Sequence, residues 1–312
     1  EVVMSIDASG AAIIPAPDAP RPETSLDSKA RVRRETIKLL VRSPTFLIGL
    51  VIVLWWVFCA FFSGSIVPHD PVNDSLGAGT SAAPSSSYWF GLDEQGRDVF
   101  SRVLAGSVTI LKVAPLATVI GIFLGTTLGL VMGYFRGWTD NIIGRIIDAV
   151  LAIPLIVFAI LILTALSGQS EGITVTPARL AIVIGLAFTP PIARTVRAAA
   201  LAERDLDYVQ AAKLRGELAP YIMVAEILPN IVPTIIVEAT VRLGYAIFTA
   251  ATLAFLSYGA QPPTPDWGLD ITEQYQNVSF AWWESIFPAL AIASLVVAVN
   301  LIADAVQQVL EG

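Results

Sequence analysis

Two stretches of this 312-residue chain, 45–67 (TFLIGLVIVLWWVFCAFFSGSIV) and 113–135 (VAPLATVIGIFLGTTLGLVMGYF), carry no charged residue at all. A helix rising 1.5 Å per residue needs about 20 apolar residues to cross a hydrocarbon core of about 30 Å, so each run is long enough for one crossing. Both exceed the apolar core of a signal peptide. Two more uncharged runs, 149–166 and 286–303, are about one crossing long. Residues 180 to about 202 are apolar as far as Arg194 and Arg197 and contain Pro190 and Pro191, which predicts a kinked span. The run 231–256 is long and apolar but holds Glu238 and Arg242. The reading is an all-α integral membrane protein with six transmembrane helices. Composition agrees: 55% of residues are hydrophobic and only 14% charged, too apolar for a soluble enzyme with one core.

Orientation follows from Lys and Arg in the short connections. Placing the N-terminus in the cytoplasm gives that side Arg21, Lys29, Arg31, Arg33, Arg34, Lys38 and Arg42, then Arg136 and Arg145, then Arg194, Arg197, Arg204, Lys213 and Arg215. The outer side keeps Arg97, Arg102, Lys112 and Arg179, and both termini are expected inside. Residues 1–28, rich in Pro, Ala, Ser and Asp, read as a disordered cytoplasmic tail. The basic stretch 29–42 reads as an amphipathic helix at the inner interface, and a topology determinant is sufficient to explain it. It opens a segment, 29–88, that holds the first span and the start of the outer loop, where Tyr88, Trp89 and Phe90 suit an interfacial belt.

Several chemistries are excluded. The net charge is −7, with no clustered basic face for nucleic acid. A single cysteine, Cys59, rules out a disulfide within the chain and a thiolate cluster, and a single histidine, His69, rules out a paired-His metal site. No GxxxxGK[ST] occurs, so the chain does not hydrolyse ATP by itself. The glycines at 121, 125, 129 and 133 are spaced for close contact with a neighbouring span or subunit.

The loop 203–230 (ERDLDYVQAAKLRGELAPYIMVAEILPN) is more organised than a connector requires. It reads as two short helices. The first carries Glu203, Asp205 and Asp207 near its start and Lys213 and Arg215 near its end, matching the helix dipole, and Gly216 stands where a left-handed cap belongs. Pro220 opens the second. Adjacent Ala211 and Ala212 would let another protein approach the first helix closely, and a helix lying on the lipid surface would satisfy the same pattern. Glu238 and Arg242, four apart, share a helical face: they read as a self-neutralising pair, with a pathway or subunit contact as the functional alternative. Asp148, three residues after Arg145, reads as half of an interfacial pair. Prolines 115, 154, 190, 191, 229, 233 and 288 mark points of bending.

The pattern QAAxxxG at Gln210–Gly216, followed by Leu228, Pro229 and Asn230, resembles the "EAA" loop of permease subunits of ABC importers. Residues 90–106 (FGLDEQGRDVFSRVLAG), Arg145 to Asp148 with Pro154, and residues 253–268 (LAFLSYGAQPPTPDWG) resemble further motifs of one branch, the C-type permeases for dipeptides, oligopeptides and nickel. The four occur in the right order and on the expected sides, and the likeness runs from about residue 29 to 310. It implies the transmembrane domain of a type I importer, MetI-like in fold and spanning 89–312. The loop 203–230 would be the coupling segment, with Gln210, Ala211, Ala212, Leu214 and Gly216 as contact core. Arg215 would supply a salt link, and Leu228, Pro229 and Asn230 would fix the return into the fifth span. Two departures stand out: Gln210 replaces the family's usual Glu, and Glu226 replaces a frequent His.

The implied partners are a second, B-type permease, two ATPase subunits that hold ATP and Mg, an extracytoplasmic substrate-binding protein and membrane lipid. This chain would hold no cofactor itself. Gln261, Pro262, Pro263, Trp267 and Gly268 would lie in the outer loop near the binding protein. The expected activity is alternating-access uptake of short peptides across a bacterial cell membrane, with nickel chelates or another small solute as the alternative. An ion-coupled secondary transporter or channel is the rival from another class, for which an inverted repeat is missing.

Overall fold

The run 45–67 folds as expected into α1 (Pro44–Ile66), with Ser43 as N-cap accepting from the Phe46 N–H at 3.4 Å and Pro44 in the first turn. The structure is a computed structural model that describes residues 38–73, 80–167 and 175–311. The tail 1–28 and the basic stretch up to residue 37 lie outside the described residues, and 38–42 are helical.

The second span is longer than its uncharged core. α2 (Val99–Phe135) begins at a cap, Asp98, and includes Arg102 and Lys112. Val99, Val103, Leu104, Ile110 and Val113 are buried at helical spacing, so the two cations interrupt the apolar run without interrupting the helix. At 37 residues α2 is about 55 Å long and joins the two ends of the bundle.

The third crossing corrects the sequence reading. In place of one span at 149–166 there are α3 (Gly137–Leu151) and α4 (Leu155–Ser167), bent by 93° at the break. Pro154 sits at that break; it offers no N–H and disfavours helical geometry at Ile153. α5 (Pro177–Arg204) follows, continuous through Pro190 and Pro191. After it come α6 (Asp207–Leu214), α7 (Leu228–Phe255), α8 (Trp267–Gln274) and α9 (Trp283–Glu311). Among the described residues, five helices are long and apolar enough to cross a bilayer, and the bent α3–α4 pair makes up to six.

The second short helix of the 203–230 loop is also corrected. Pro220 does open a helical turn, Ala219–Tyr221, but this runs through a π-helix, Ile222–Ile227, directly into α7. The wide turns precede Pro229, which has no N–H with which to close the usual bond to Ala225.

The glycine ridge of α2 packs on α5. A Cβ at Gly125 would stand 2.5 Å from Ile192, one at Gly129 2.7 Å from the Ala193 carbonyl, and one at Gly133 2.6 Å from Ala200. These backbones approach too closely for any larger residue. Gly49 gives α1 a similar contact with α9, where a Cβ would come within 2.5 Å of the Ala298 carbonyl.

Candidate functional site

α6 is held by its own sequence. Asp207 in the first turn and Lys213 in the last complement its dipole. Its end is a Schellman closure: the Gly216 N–H bonds the Lys213 carbonyl at 3.0 Å and the Glu217 N–H the Ala212 carbonyl at 3.3 Å, with Gly216 at φ +81°. Val209 and Ala212 are 0% exposed and join Ile222 and Ile227 in the core. Ala212 therefore faces into this chain, because positions three apart share a helix face, and it does not belong to an outward contact core.

Polar clamps tie α6 to the start of α7. The Tyr208 hydroxyl donates to Glu203 at 2.5 Å and accepts from Asn230 Nδ2 at 2.9 Å, while the same amide donates to the Glu226 carbonyl at 2.8 Å. Burial first, and then the Glu203 carboxylate, push the Tyr208 hydroxyl up to about 12, so it keeps its proton and remains a donor. Arg215 reaches Glu217 at 2.7 Å and Glu226 at 3.2 Å, a salt link made within the loop. Glu226, where the family pattern often has His, is thus the partner of Arg215. Gln210 Nε2 donates to the Arg204 carbonyl at 3.2 Å. Lys213 lies 5.7 Å from the Tyr134 ring and Arg136 pairs with Asp205 at 2.9 Å, both linking the loop to the end of α2. Sequence reasoning did not single out Tyr208 or Glu217 and read Glu203 only as a helix-start charge, since their partners lie across turns that no spacing rule covers.

The opposite face is open. Gln210 and Ala211 are exposed, and Leu214 is 89% exposed. Beyond the turn, Leu218 and Tyr221 are also exposed, Leu228 is half-buried, and Pro229 and Asn230 lie at the surface.

At the other end of α2 the expected outer-loop set divides. Gln261, Pro262 and Pro263 are exposed, but Trp267 and Gly268 are buried. The Trp267 indole donates to the Val103 carbonyl at 2.7 Å and packs edge-on against Trp56 at 4.7 Å, and a Cβ on Gly268 would meet Ala254 at 2.6 Å. Both are packing residues of α8. Around them lies a buried charge network. Arg97 pairs with Asp93 at 2.6 Å and Glu273 at 2.8 Å; Arg102 pairs with Asp270 and donates to the Pro71 carbonyl at 2.8 Å. Burial, outweighing the Arg102 attraction, pushes the Asp270 carboxyl up to about 7.

Within the spans, Arg242 Nε donates to Glu238 at 2.7 Å, and the guanidinium lies 5.7 Å from the Tyr245 ring and 5.9 Å from the Phe188 ring. Asp148 pairs with Arg194 of α5 and not with Arg145.

The family model described as "Binding-protein-dependent transport system inner membrane component" matches residues 125–312, which include α3 to α9 and the whole 203–230 loop. A glutathione transport system permease protein, GsiD, from Pectobacterium atrosepticum is 36% identical over 282 residues, covering 89% of this chain and 90% of the relative. A dipeptide transport system permease protein, DppC, from Alkalihalophilus pseudofirmus is 34% identical over 302 residues, 95% of each chain. GsiD of Escherichia coli is 37% identical over 285 residues, 90% of this chain and 88% of the relative. With this matched span and these relatives, the chain belongs to the binding-protein-dependent transport system inner membrane component family, as a non-catalytic, multi-pass permease subunit of an ABC importer.

Proposed function

We propose that this chain pairs with a second, B-type permease to carry short peptides inward across a bacterial cell membrane, driven by two ATPase subunits that bind ATP and Mg. A binding protein delivers substrate to the α8 end, where Gln261, Pro262 and Pro263 are exposed. The dipeptide and glutathione names of the relatives support peptides as substrate class.

One observation carries the reading: α6 offers a small outer face, Gln210, Ala211 and Leu214, while its inner face is locked to α7 through buried Ala212, Ile222 and Ile227. A groove on an ATPase subunit that grips the outer face moves the start of α7 with it, and α5 through the short turn after Arg204. Gly216 and Arg215 preserve the shape of the gripped turn, and Asn230 fixes the return. Closure of the ATPases on ATP then reorients the spans. In this reading Glu238 and Arg242 neutralise each other inside the span.

The Lys and Arg bias supports a cytoplasmic α6 end together with both termini. A cysteine at Ala211 reacts with an impermeant maleimide in inside-out vesicles and is protected in right-side-out ones, and native Cys59, fully buried, stays silent. Tagged chain, gently extracted, brings down a second permease and P-loop subunits with ATPase activity. Recovery of the chain alone, moving solute down an ion gradient in vesicles, contradicts the reading.

A further inference from the structure

Between α3 and α5 lies a polar cavity of about 320 Å³, lined by Asp140, Asn141, Arg145, Asp148, Arg194 and Arg197. Its floor is apolar, with Met132 and Ile147 packed on Ala193. Two guanidiniums are engaged: Arg197 grips both oxygens of Asp140, at 2.5 and 2.6 Å, and Arg194 pairs with Asp148. Arg145 has no hydrogen-bond or ion-pair partner among the described residues, so three cations face two carboxylates and one positive charge is uncompensated. The two anchored arginines each keep further N–H donors free.

The helix that carries Arg145 has a second face. Trp138, Ile142 and Ile146, spaced four apart, are 84%, 53% and 61% exposed. At 3.6 residues per turn Arg145 falls about 20° from Trp138 around the helix, on the side of Asn141 and Asp148, which is the seam between the apolar stripe and the cavity. The 93° bend sets α3 nearly perpendicular to α4. An exposed Trp-Ile-Ile stripe next to an unpaired arginine is the pattern of an interfacial helix whose apolar face meets acyl chains and whose basic edge meets headgroups.

We propose that this cavity binds the phosphate of an anionic phospholipid headgroup, with Arg145 as the free cation and the Trp138–Ile142–Ile146 stripe against the acyl chains. A soluble phosphate has the same charge chemistry but makes no use of the stripe. The proposal rests on the cytoplasmic placement of the α6 end only for the leaflet involved; that placement is read separately by the Ala211 cysteine labelling, whereas lipid binding is read on purified protein.

The assembled importer is delipidated in mild detergent and titrated with phosphatidylglycerol, phosphatidylcholine or inorganic phosphate, and bound lipid is counted by native mass spectrometry. Phosphatidylglycerol is retained and phosphatidylcholine is not. Arg145→Gln weakens retention about fivefold, the equivalent of the ~1 kcal/mol expected per basic residue at an anionic surface, and Arg145→Lys restores most of it. Ile146→Asn, which leaves every charge in place, also weakens retention. Unchanged retention in both Arg145→Gln and Ile146→Asn, or equal retention of phosphatidylcholine, overturns the site. Displacement of phosphatidylglycerol by inorganic phosphate at equal concentration overturns the lipid as its source.

Discussion

At one end of α2, Arg102 is 2% exposed and its guanidinium is taken up by Asp270 and by the carbonyls of Pro71 and Pro263. At the other end, the Arg215 side chain is 55% exposed and divides itself between Glu217 and Glu226. The chemistry is the same and the setting is opposite. A buried pair cannot lose one member without leaving a charge stranded in a medium that solvates it poorly, so the α8 end holds together as one piece. An exposed pair exchanges partners at little cost, which suits a surface that must dock and release. The difference separates an end locked by buried charges from an exposed end whose ion pairs can rearrange.

The largest expected effect is at the stiff end. At pH 8, where Asp270 is ionised, Arg102→Met leaves its buried carboxylate without a partner and costs about 3–5 kcal/mol, read as loss of membrane-inserted protein and a lower melting temperature in detergent. The double variant Arg102→Met with Asp270→Leu recovers much of the loss; no recovery breaks the idea that the pair, and not the packing, is at stake.

Next come two adjacent alanines that separate grip from fold. Ala211→Arg leaves the protein in the membrane and lowers ATP-dependent uptake about tenfold or more, as for a residue at the centre of an interface. Ala212→Arg places a charge in a fully buried site and lowers the amount of folded protein as well. Equal behaviour of the two variants in membrane abundance contradicts the assignment of opposite faces.

A pH dependence sharpens the stiff end further. With the Asp270 carboxyl raised from 3.8 to about 7, the folded chain holds a proton that the unfolded chain has released between those values. This stabilisation is complete below about pH 4 and is lost as pH rises through about 7. Melting in detergent is therefore higher at pH 5 than at pH 8, and Asp270→Asn flattens the difference. The smallest effect is at the α6 cap: Gly216→Ala, at φ +81° with open space around it, costs about 1 kcal/mol of local order and lowers uptake without removing protein from the membrane.

The spans were legible because hydrophobic length is a local property. The runs at 45–67 and 113–135 needed nothing else, and the Gly216 cap was readable because only a left-handed turn calls for glycine after such a helix. What stayed hidden depends on partners far apart in the chain. Pro154 marked a point of bending in the third span, but the size of the bend, 93° between α3 and α4, depends on the packing of neighbouring helices and was not legible. Ala211 and Ala212 look alike in a sequence, and only the register of α6 against Ile222 and Ile227 tells the outer one from the inner one. Trp267 and Gly268 read as loop until Val103, Trp56 and Ala254 closed over them. The Arg102–Asp270 pair spans 168 residues, which no spacing rule reaches.

The central claim, that the outer face of α6 is the surface held by an ATPase subunit, is tested most directly by cross-linking in native membranes. A cysteine at Leu214, 89% exposed, is joined by a short bifunctional maleimide to whatever lies against it. The account predicts a cross-linked band containing a P-loop ATPase subunit, absent when the cysteine is placed at Gln261 at the opposite end. No ATPase adduct at Leu214, or an adduct at Gln261 instead, would contradict it.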